Sequence, residues 1–366
     1  MYPALTVADR FGDAPDEVLF VGTPNGLEAR LVPEAGVSFR GLSAAGFDRG
    51  RPLTLLTSSA RLAASTLIAW RWLGAERPDV VLGFGGYVSI PVGFAAALRR
   101  IPLVLHEQNS VPGLANRTLS RWAVAVGVTY QESSELLAHP ERAVLTGNPV
   151  RPSVLAADRV SGRQALGLAA DALVLLVFGG SRGARHLNSA ILGLRERLLA
   201  IPNLHIVHVA GVTEVAAVSE ALRAAGGDGD GRWRAVGYLH DMGSALAAAD
   251  LIVARAGATS IAEITALGLP AVLVPYPYAT DDHQTKNGAA MVAHGAAELV
   301  ADADIDSARF GDIVVGLLGD PARRATMAAA SKGLGRPDAA DRVAALARKA
   351  AGQPPASREP DTDSED

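Results

Sequence analysis

The sequence predicts an α/β fold of parallel sheets arranged as two doubly wound, Rossmann-like domains. Three features carry that prediction: short Val-, Leu- and Ile-rich runs, Gly-containing turns followed by Ala/Leu-rich stretches, and one strand–turn–helix–strand pattern that occurs twice. The apolar runs are Val18–Val21, Val80–Leu82, Leu103–Leu105, Ala143–Leu145, Leu173–Phe178, Leu204–Val209, Leu251–Val253 and Ala271–Val274. A run that is apolar without alternation is what a strand covered by helices on both faces requires, so each is placed in a parallel sheet. The repeated pattern is DVVLGFGGYVSIPVGFAAALRRIPLVL at 79–105 and DLIVARAGATSIAEITALGLPAVLV at 250–274. Each copy runs Asp, apolar strand, Gly turn, Ser-Ile opening a helix, Pro and a second apolar strand. Two such βαβ units predict two domains of similar build.

Length agrees, since 366 residues at ~150 per domain give two. The Pro149 and Pro152 connection sets the boundary, giving a first domain over 1–148 and a second over 149–351. Whether the second domain's last helix returns to the first is left open. Residues 352–366 are Pro, Ser and acid, which predicts a disordered acidic tail. Tyr2–Phe11 reads as helix with no strand before it. The first strand of a doubly wound sheet lies centrally and its loop carries phosphate-binding glycines, so the expectation is that Met1 is a misplaced start and that a central strand lies upstream.

Composition narrows the function. Apolar residues make up 49% of the chain and cysteine is absent, which excludes general disorder, structural disulfides and thiolate metal centres. The net charge of −4 resides in the tail, leaving a near-neutral body that argues against nucleic acid as a partner. No apolar run reaches the ~18 residues of a membrane span and no export signal is visible, so a cytosolic setting is expected.

Three glycine turns follow apolar strands. Phe178-Gly179-Gly180-Ser181-Arg182-Gly183 opens a helix, where close backbone approach, free N–H groups and the helix dipole favour an anion such as a diphosphate; a purely steric role stands equally on spacing alone. Ala254-Arg255-Ala256-Gly257-Ala258-Thr259-Ser260 has the same layout, with Glu263 one turn on, able to accept from ribose hydroxyls or to partner the helix dipole. Gly83-Phe84-Gly85-Gly86-Tyr87 holds the equivalent place in the first domain. If both sheets present their strand C-termini to one cleft, the chain holds two phosphorylated ligands, as a transferase does. His106-Glu107-Gln108-Asn109 and the 281–287 run DDHQTKN add amides suited to sugar hydroxyls. Neither His106 nor His283 has zinc-pair spacing, so no metal site is expected. From Arg49 to Arg77, apolar residues including Leu67, Ile68, Trp70 and Trp72 interleave with five arginines against Glu76, a net +4. That pattern suits an anionic membrane surface, and also an amphipathic core helix with solvated arginines.

Taken together, GFGGY at 83, HEQNSVPGLANR at 106, GNPVR at 147, FGGSRGA at 178, RAGATSIAE at 255 and DDHQTKN at 281 resemble the GT-B glycosyltransferases that add N-acetylglucosamine (GlcNAc) to undecaprenyl-pyrophosphoryl-muramyl-pentapeptide, lipid I, to make lipid II. The resemblance spans nearly the whole chain. It implies inverting transfer from UDP-GlcNAc without a required metal or cofactor, by a peripheral protein on the cytoplasmic face of the cell membrane. By position, Asn109, Arg151, Ser181, Leu239, Ala258, Thr259, Ser260, Ile261, Ala262, Glu263 and Gln284 match donor positions: Ser181 at the diphosphate, Leu239 at the uracil through its backbone, Glu263 at the ribose, Gln284 at the sugar. Gly85, Gly86, Tyr87, Glu107 and Asn116 match the acceptor side, and Arg255 and Asn287 fall on further motif positions. The family's membrane contact favours the lipid reading of Arg49–Arg77. The chain departs from the pattern at its start. Pro3-Ala4-Leu5 is present, but the Gly-Gly-Thr-Gly-Gly-His loop is absent, and with it the histidine that is the family's best candidate for the base. No catalytic base is assigned. Another GT-B enzyme, such as a glycolipid transferase or a UDP-GlcNAc epimerase, and a non-catalytic UDP-sugar-binding module are the alternatives.

Overall fold

The computed structural model describes residues 1–12, 18–43, 54–180, 184–226 and 231–352. They group into two compact units. The first comprises Met1–Gln108, Pro112–Thr146 and the chain from Asp338 on; the second comprises Asn109–Val111 and Gly147–Pro337.

In the first unit, β1 (Leu19–Gly22) and β2 (Ser38–Gly41) form a two-stranded parallel sheet. β3 (Val81–Gly83), β4 (Leu103–Glu107), β5 (Ala125–Val128) and β6 (Ala143–Leu145) form a four-stranded parallel sheet in chain order. All five residues of β4 are buried, because helices cover both of its faces. On one face Leu103, Leu105, Leu119, Val126 and Val128 make the core. On another, Val7 of the Tyr2–Ala8 helix and Val343 and Ala344 of the Ala339–Ala350 helix pack with Leu82 and Phe84. Ala340, Val343, Ala344 and Ala347 recur at helical spacing and are buried, the stripe that seats this last helix in the first unit. The Thr54–Glu76 and Ser89–Arg99 helices pack on each other, with Leu42, Ala69 and Ala95 buried between Trp72, Leu73 and Val92.

The second unit holds a single six-stranded parallel sheet made of β7 (Leu173–Phe178), β8 (Leu204–Val209), β9 (Trp233–Val236), β10 (Leu251–Ala254), β11 (Ala271–Leu273) and β12 (Ala297–Leu299). Their order is β12-β11-β10-β7-β8-β9. Successive residues of β7 point to opposite faces: Leu175 and Val177 enter one core, Val174, Leu176 and Phe178 the other. Burial on both sides is why this run reads as continuously apolar.

Each apolar run singled out in the sequence overlaps a strand. β2, β9 and β12 were not among them because polar residues interrupt each (Arg40, Arg234 and Glu298), and β5 because Gly127 breaks its apolar run. The units divide at Thr146/Gly147, two residues before the boundary set from sequence, and the last helix, whose return the sequence left open, belongs to the first unit. The predicted acidic tail from residue 353 on lies outside the described residues.

Candidate functional site

In the second unit the first strand in sequence, β7, lies centrally. The chain adds β8 and β9 on one side and β10 to β12 on the other. The loops leaving β7 and β10 therefore turn to opposite sides, and such a switch point opens a crevice at the C-terminal ends of the two strands. Both strands end in glycine turns. Gly180 has φ +85°, a conformation that a side chain would strain. Ser181, Arg182 and Gly183 lie outside the described residues.

The turn after β10 is fully described. Gly257 is the N-cap of the Ala258–Leu267 helix and offers no side-chain cap. The amides of Ala258, Thr259 and Ser260 consequently have no acceptor within the helix, and the dipole adds positive potential there. This is the arrangement that receives a phosphate. Ile261 is buried in the core, leaving only its backbone for a ligand. Glu263 is 4% exposed, and its Oε1 accepts from Arg151 Nε at 2.8 Å. Burial pushes the Glu263 carboxyl above the usual carboxylate range, and Arg151 opposes that rise. One carboxylate oxygen is thereby held by the guanidinium, which aims the side chain and leaves the other to accept from a hydroxyl.

Other sequence-selected groups gather in the same unit. Gln284 Oε1 accepts from the Tyr276 amide at 2.9 Å. Asn287 is buried; its Oδ1 accepts from the Ser110 amide at 2.9 Å and its Nδ2 donates to Asn109 Oδ1 at 3.3 Å. Leu239, past β9, is half-buried against the core. Arg255 is turned inward: Nη1 donates to the Pro275 carbonyl at 3.0 Å and to Asp302 Oδ1 at 2.5 Å. It serves the turn's architecture. The aspartate at 302, the histidine at 186 that shares it and the Tyr276 amide were not selected from sequence. A histidine in the first turn of a helix opened by a glycine turn, with a DAD run to receive it, is the signal that was available.

In the first unit the strand ends after β3 and β4 converge. Gly85 and Gly86 both have φ +77°, which accounts for two glycines in succession. Glu107 ends β4, and its Oε2 accepts from the Gly113 amide at 3.1 Å and from Asn116 Nδ2 at 2.8 Å. Asn116 Nδ2 also donates to the His106 carbonyl at 3.0 Å. Its buried Oδ1 has no hydrogen-bond partner among the described residues. A Cβ on Gly85 would stand 3.6 Å from Asn116 Nδ2, so Gly85, Glu107 and Asn116 form one cluster, while Tyr87 is 55% exposed beside it.

The Arg49–Arg77 segment separates into two faces. Residues 49–53 lie outside the described residues, and 54–76 form one helix. Trp72 and Leu73 pack inward, contrary to the lipid-facing expectation for them, because they share the stripe of Ser65 and Ala69 toward the neighbouring helix. Leu67, Ile68 and Trp70 are exposed, as is Leu98 of that neighbour. The Arg99 guanidinium lies 3.9 Å over the Trp70 ring.

Among the described residues, no helix is long and apolar enough to cross a membrane, and no group of three or more His, Asp or Glu is arranged to hold a metal ion.

Comparison with known proteins places these features. The glycosyltransferase family 28 N-terminal domain matches residues 1–128 and the family's C-terminal domain matches residues 174–343. A Desulforudis audaxviator protein named UDP-N-acetylglucosamine--N-acetylmuramyl-(pentapeptide) pyrophosphoryl-undecaprenol N-acetylglucosamine transferase is 42% identical, over 96% of both chains. A Salinibacter ruber protein of the same name is also 42% identical, over 94% of this chain and 92% of its own. The crystal structure of Acinetobacter baumannii MurG superposes with a TM-score of 0.76 at 29% identity, covering 95% of each chain.

Proposed function

The chain belongs to glycosyltransferase family 28 and has its two-domain GT-B fold, and from that premise we infer that it transfers GlcNAc from UDP-GlcNAc to N-acetylmuramyl-(pentapeptide) pyrophosphoryl-undecaprenol, lipid I, forming lipid II for peptidoglycan. The observation that carries the reading is the turn after β10, where uncapped amides and an Arg151-held Glu263 stand side by side at the switch point of the second unit.

In this reading the donor lies on the second unit. The amides of Ala258–Ser260 and the dipole of their helix meet the diphosphate, with Ser181 at the turn after β7. Ribose hydroxyls donate to Glu263, uracil pairs with the Leu239 backbone, and Gln284 and Asn109 meet the sugar. As the sugar–phosphate bond breaks, negative charge grows on the departing UDP, and fixed donors aimed there stabilise it without reorganising. These groups supply the electrophilic role without a metal, so transfer is expected to persist in EDTA. Lipid I is held by the first unit at Gly85, Gly86, Tyr87, Glu107 and Asn116.

An undecaprenyl acceptor lies in a membrane, so the protein works as a peripheral protein at the cytoplasmic face. Leu67, Ile68, Trp70 and Leu98, with Arg61, Arg71 and Arg99 around them, support docking on anionic lipid: apolar side chains enter the interface while arginines pair with headgroups.

The test is a transfer assay with radiolabelled UDP-GlcNAc and a lipid I analogue, alongside calorimetry with UDP-GlcNAc. Labelled lipid II is the expected product. Donor binding without turnover overturns the reading in favour of a UDP-sugar-binding module.

A further inference from the structure

A charged network that the donor reading leaves unused links the elements carrying the two turns of the second unit. His186 is the second residue of the Arg185–Gly193 helix that follows β7 and its glycine turn. Its Nδ1 lies 2.8 Å from Asp302 Oδ2 and its Nε2 lies 2.9 Å from Asp306 Oδ2. The other oxygen of Asp302 takes Arg255 Nη1 at 2.5 Å, and that nitrogen also donates to the carbonyls of Val274 and Pro275. A continuous path therefore runs from the helix after β7 through His186 and Asp302 to the Arg255 turn after β10.

The geometry fixes the form of the ring. Ionised carboxylates only accept hydrogen bonds, so two ring nitrogens that each face one must both carry hydrogen, and only the imidazolium does. We propose that charged His186 is a positioning residue, tying the first turn of the helix after β7 to the turn after β10 so that donor diphosphate binding strengthens when the ring is protonated. The inference rests on the donor reading above.

The surroundings agree. Hydrogen bonds to Asp302 and Asp306 raise the His186 pKa above its ordinary value, outweighing partial burial. Among the described residues, the charged groups paired with the ring are the Asp302 and Asp306 carboxylates on the segment after β12, and Arg255 reaches it from the β10 side through Asp302. On its own helix the neighbouring Arg185 is engaged by Glu214 at 3.0 Å. As pH rises through the raised pKa, the ring keeps one N–H, one nitrogen faces an oxygen as acceptor against acceptor, and the tie loosens. With the ring 36% exposed and Asp306 70% exposed, solvent screening keeps the effect small, about fivefold in donor affinity at the low end of site–site coupling.

The test measures UDP-GlcNAc affinity of the full chain by calorimetry between about pH 6 and about pH 8.5, a window around an ordinary histidine value of about 6.5 and its raised counterpart. The pyrophosphate diester of this probe does not titrate there. Affinity of the unaltered protein is expected to fall about fivefold across the window. His186→Gln should bind weakly with no such fall, and His186→Arg, whose charged fork spans both carboxylates throughout, should stay tight and flat. Asp306→Asn, at an exposed position that does not endanger folding, should reduce the fall. A flat profile in the unaltered protein, or the same fall in His186→Gln, overturns the proposal while leaving the donor reading intact. Absence of UDP-GlcNAc binding at every pH overturns both.

Discussion

Replacing Arg151 while Glu263 stays in place probes the donor-side geometry most directly. The two side chains are 2.8 Å apart and 22% and 6% exposed, so neither is freely hydrated. Two effects act on the Glu263 carboxyl: burial, the larger, raises its pKa, and Arg151 lowers it. In Arg151→Met only the raising effect remains, and the carboxylate must be buried unpaired or be protonated. Removing one partner of a buried ion pair costs about 3–5 kcal/mol; the partial hydration of Arg151 puts this pair at the lower end, about 3 kcal/mol. The sign with pH follows from linkage. A carboxyl whose folded pKa lies above its unfolded value imposes no penalty below the unfolded value, about 4.3, and a growing one as pH rises through the folded value. The deficit of Arg151→Met is therefore greatest near neutrality and shrinks toward about pH 5. Urea unfolding of the unaltered protein, Arg151→Met, Glu263→Gln and the double variant measures it. The double variant should recover about 2 kcal/mol relative to the summed single costs, within the range for residues in contact. Additivity to within about 0.5 kcal/mol, or a deficit that does not change with pH, refutes the argument.

Three further outcomes follow from other parts of the molecule. Leu67→Asn with Ile68→Asn, at exposed positions, should leave stability within about 0.5 kcal/mol yet weaken sedimentation with anionic vesicles about tenfold; the remaining binding should decline with salt. Gly86→Ala places a side chain at φ +77° with no neighbour within 4 Å among the described residues, so it costs backbone strain, about 1–2 kcal/mol in urea unfolding, and should raise the KM for lipid I while sparing that for UDP-GlcNAc. Burial lowers the His208 pKa to about 4, so the stability tied to its neutral form is complete above about 6.5 and is lost as pH falls toward 4. That gap corresponds to about 3 kcal/mol, and the urea midpoint of His208→Gln should fall correspondingly less than that of the unaltered protein between about pH 6.5 and about pH 4.

What the sequence disclosed and what it withheld divide along a physical line. Strands buried on both faces are legible because burial leaves few polar positions, as in β7 and the Leu103–Leu105 part of β4. The glycine turns are legible because positive φ at Gly85, Gly86 and Gly180 excludes most other residues. Pairings that depend on distant segments are not. Arg151 and Glu263 are 112 residues apart, and His186 and Asp302 are 116 apart; no local pattern announces that either pair meets. Arg255 could be placed in a motif, but only its contacts show it facing the Pro275 carbonyl and Asp302 rather than outward. The Ala339–Ala350 helix follows the second unit in sequence yet packs on Leu82 and Phe84 of the first. Its stripe of small residues specifies a close contact without specifying with which sheet.

The order of strand addition explains why chemistry concentrates after β7 and β10 rather than elsewhere on the sheet. Every strand of the second unit is parallel, so every connection rises from the same edge, but only at the β7–β10 boundary do neighbouring connections diverge. A side chain that must touch both turns has to bridge that divergence. Arg255, on the turn after β10, and His186, on the helix after β7, are joined through a third element, each pairing with Asp302. Divergence opens space for a ligand and separates the two elements that grip it, so a crevice built this way needs a tie near its base. The Asp302 carboxylate, shared between a histidine and an arginine, meets that need with charge rather than with packing, and this makes the tie responsive to pH where an apolar contact would not be.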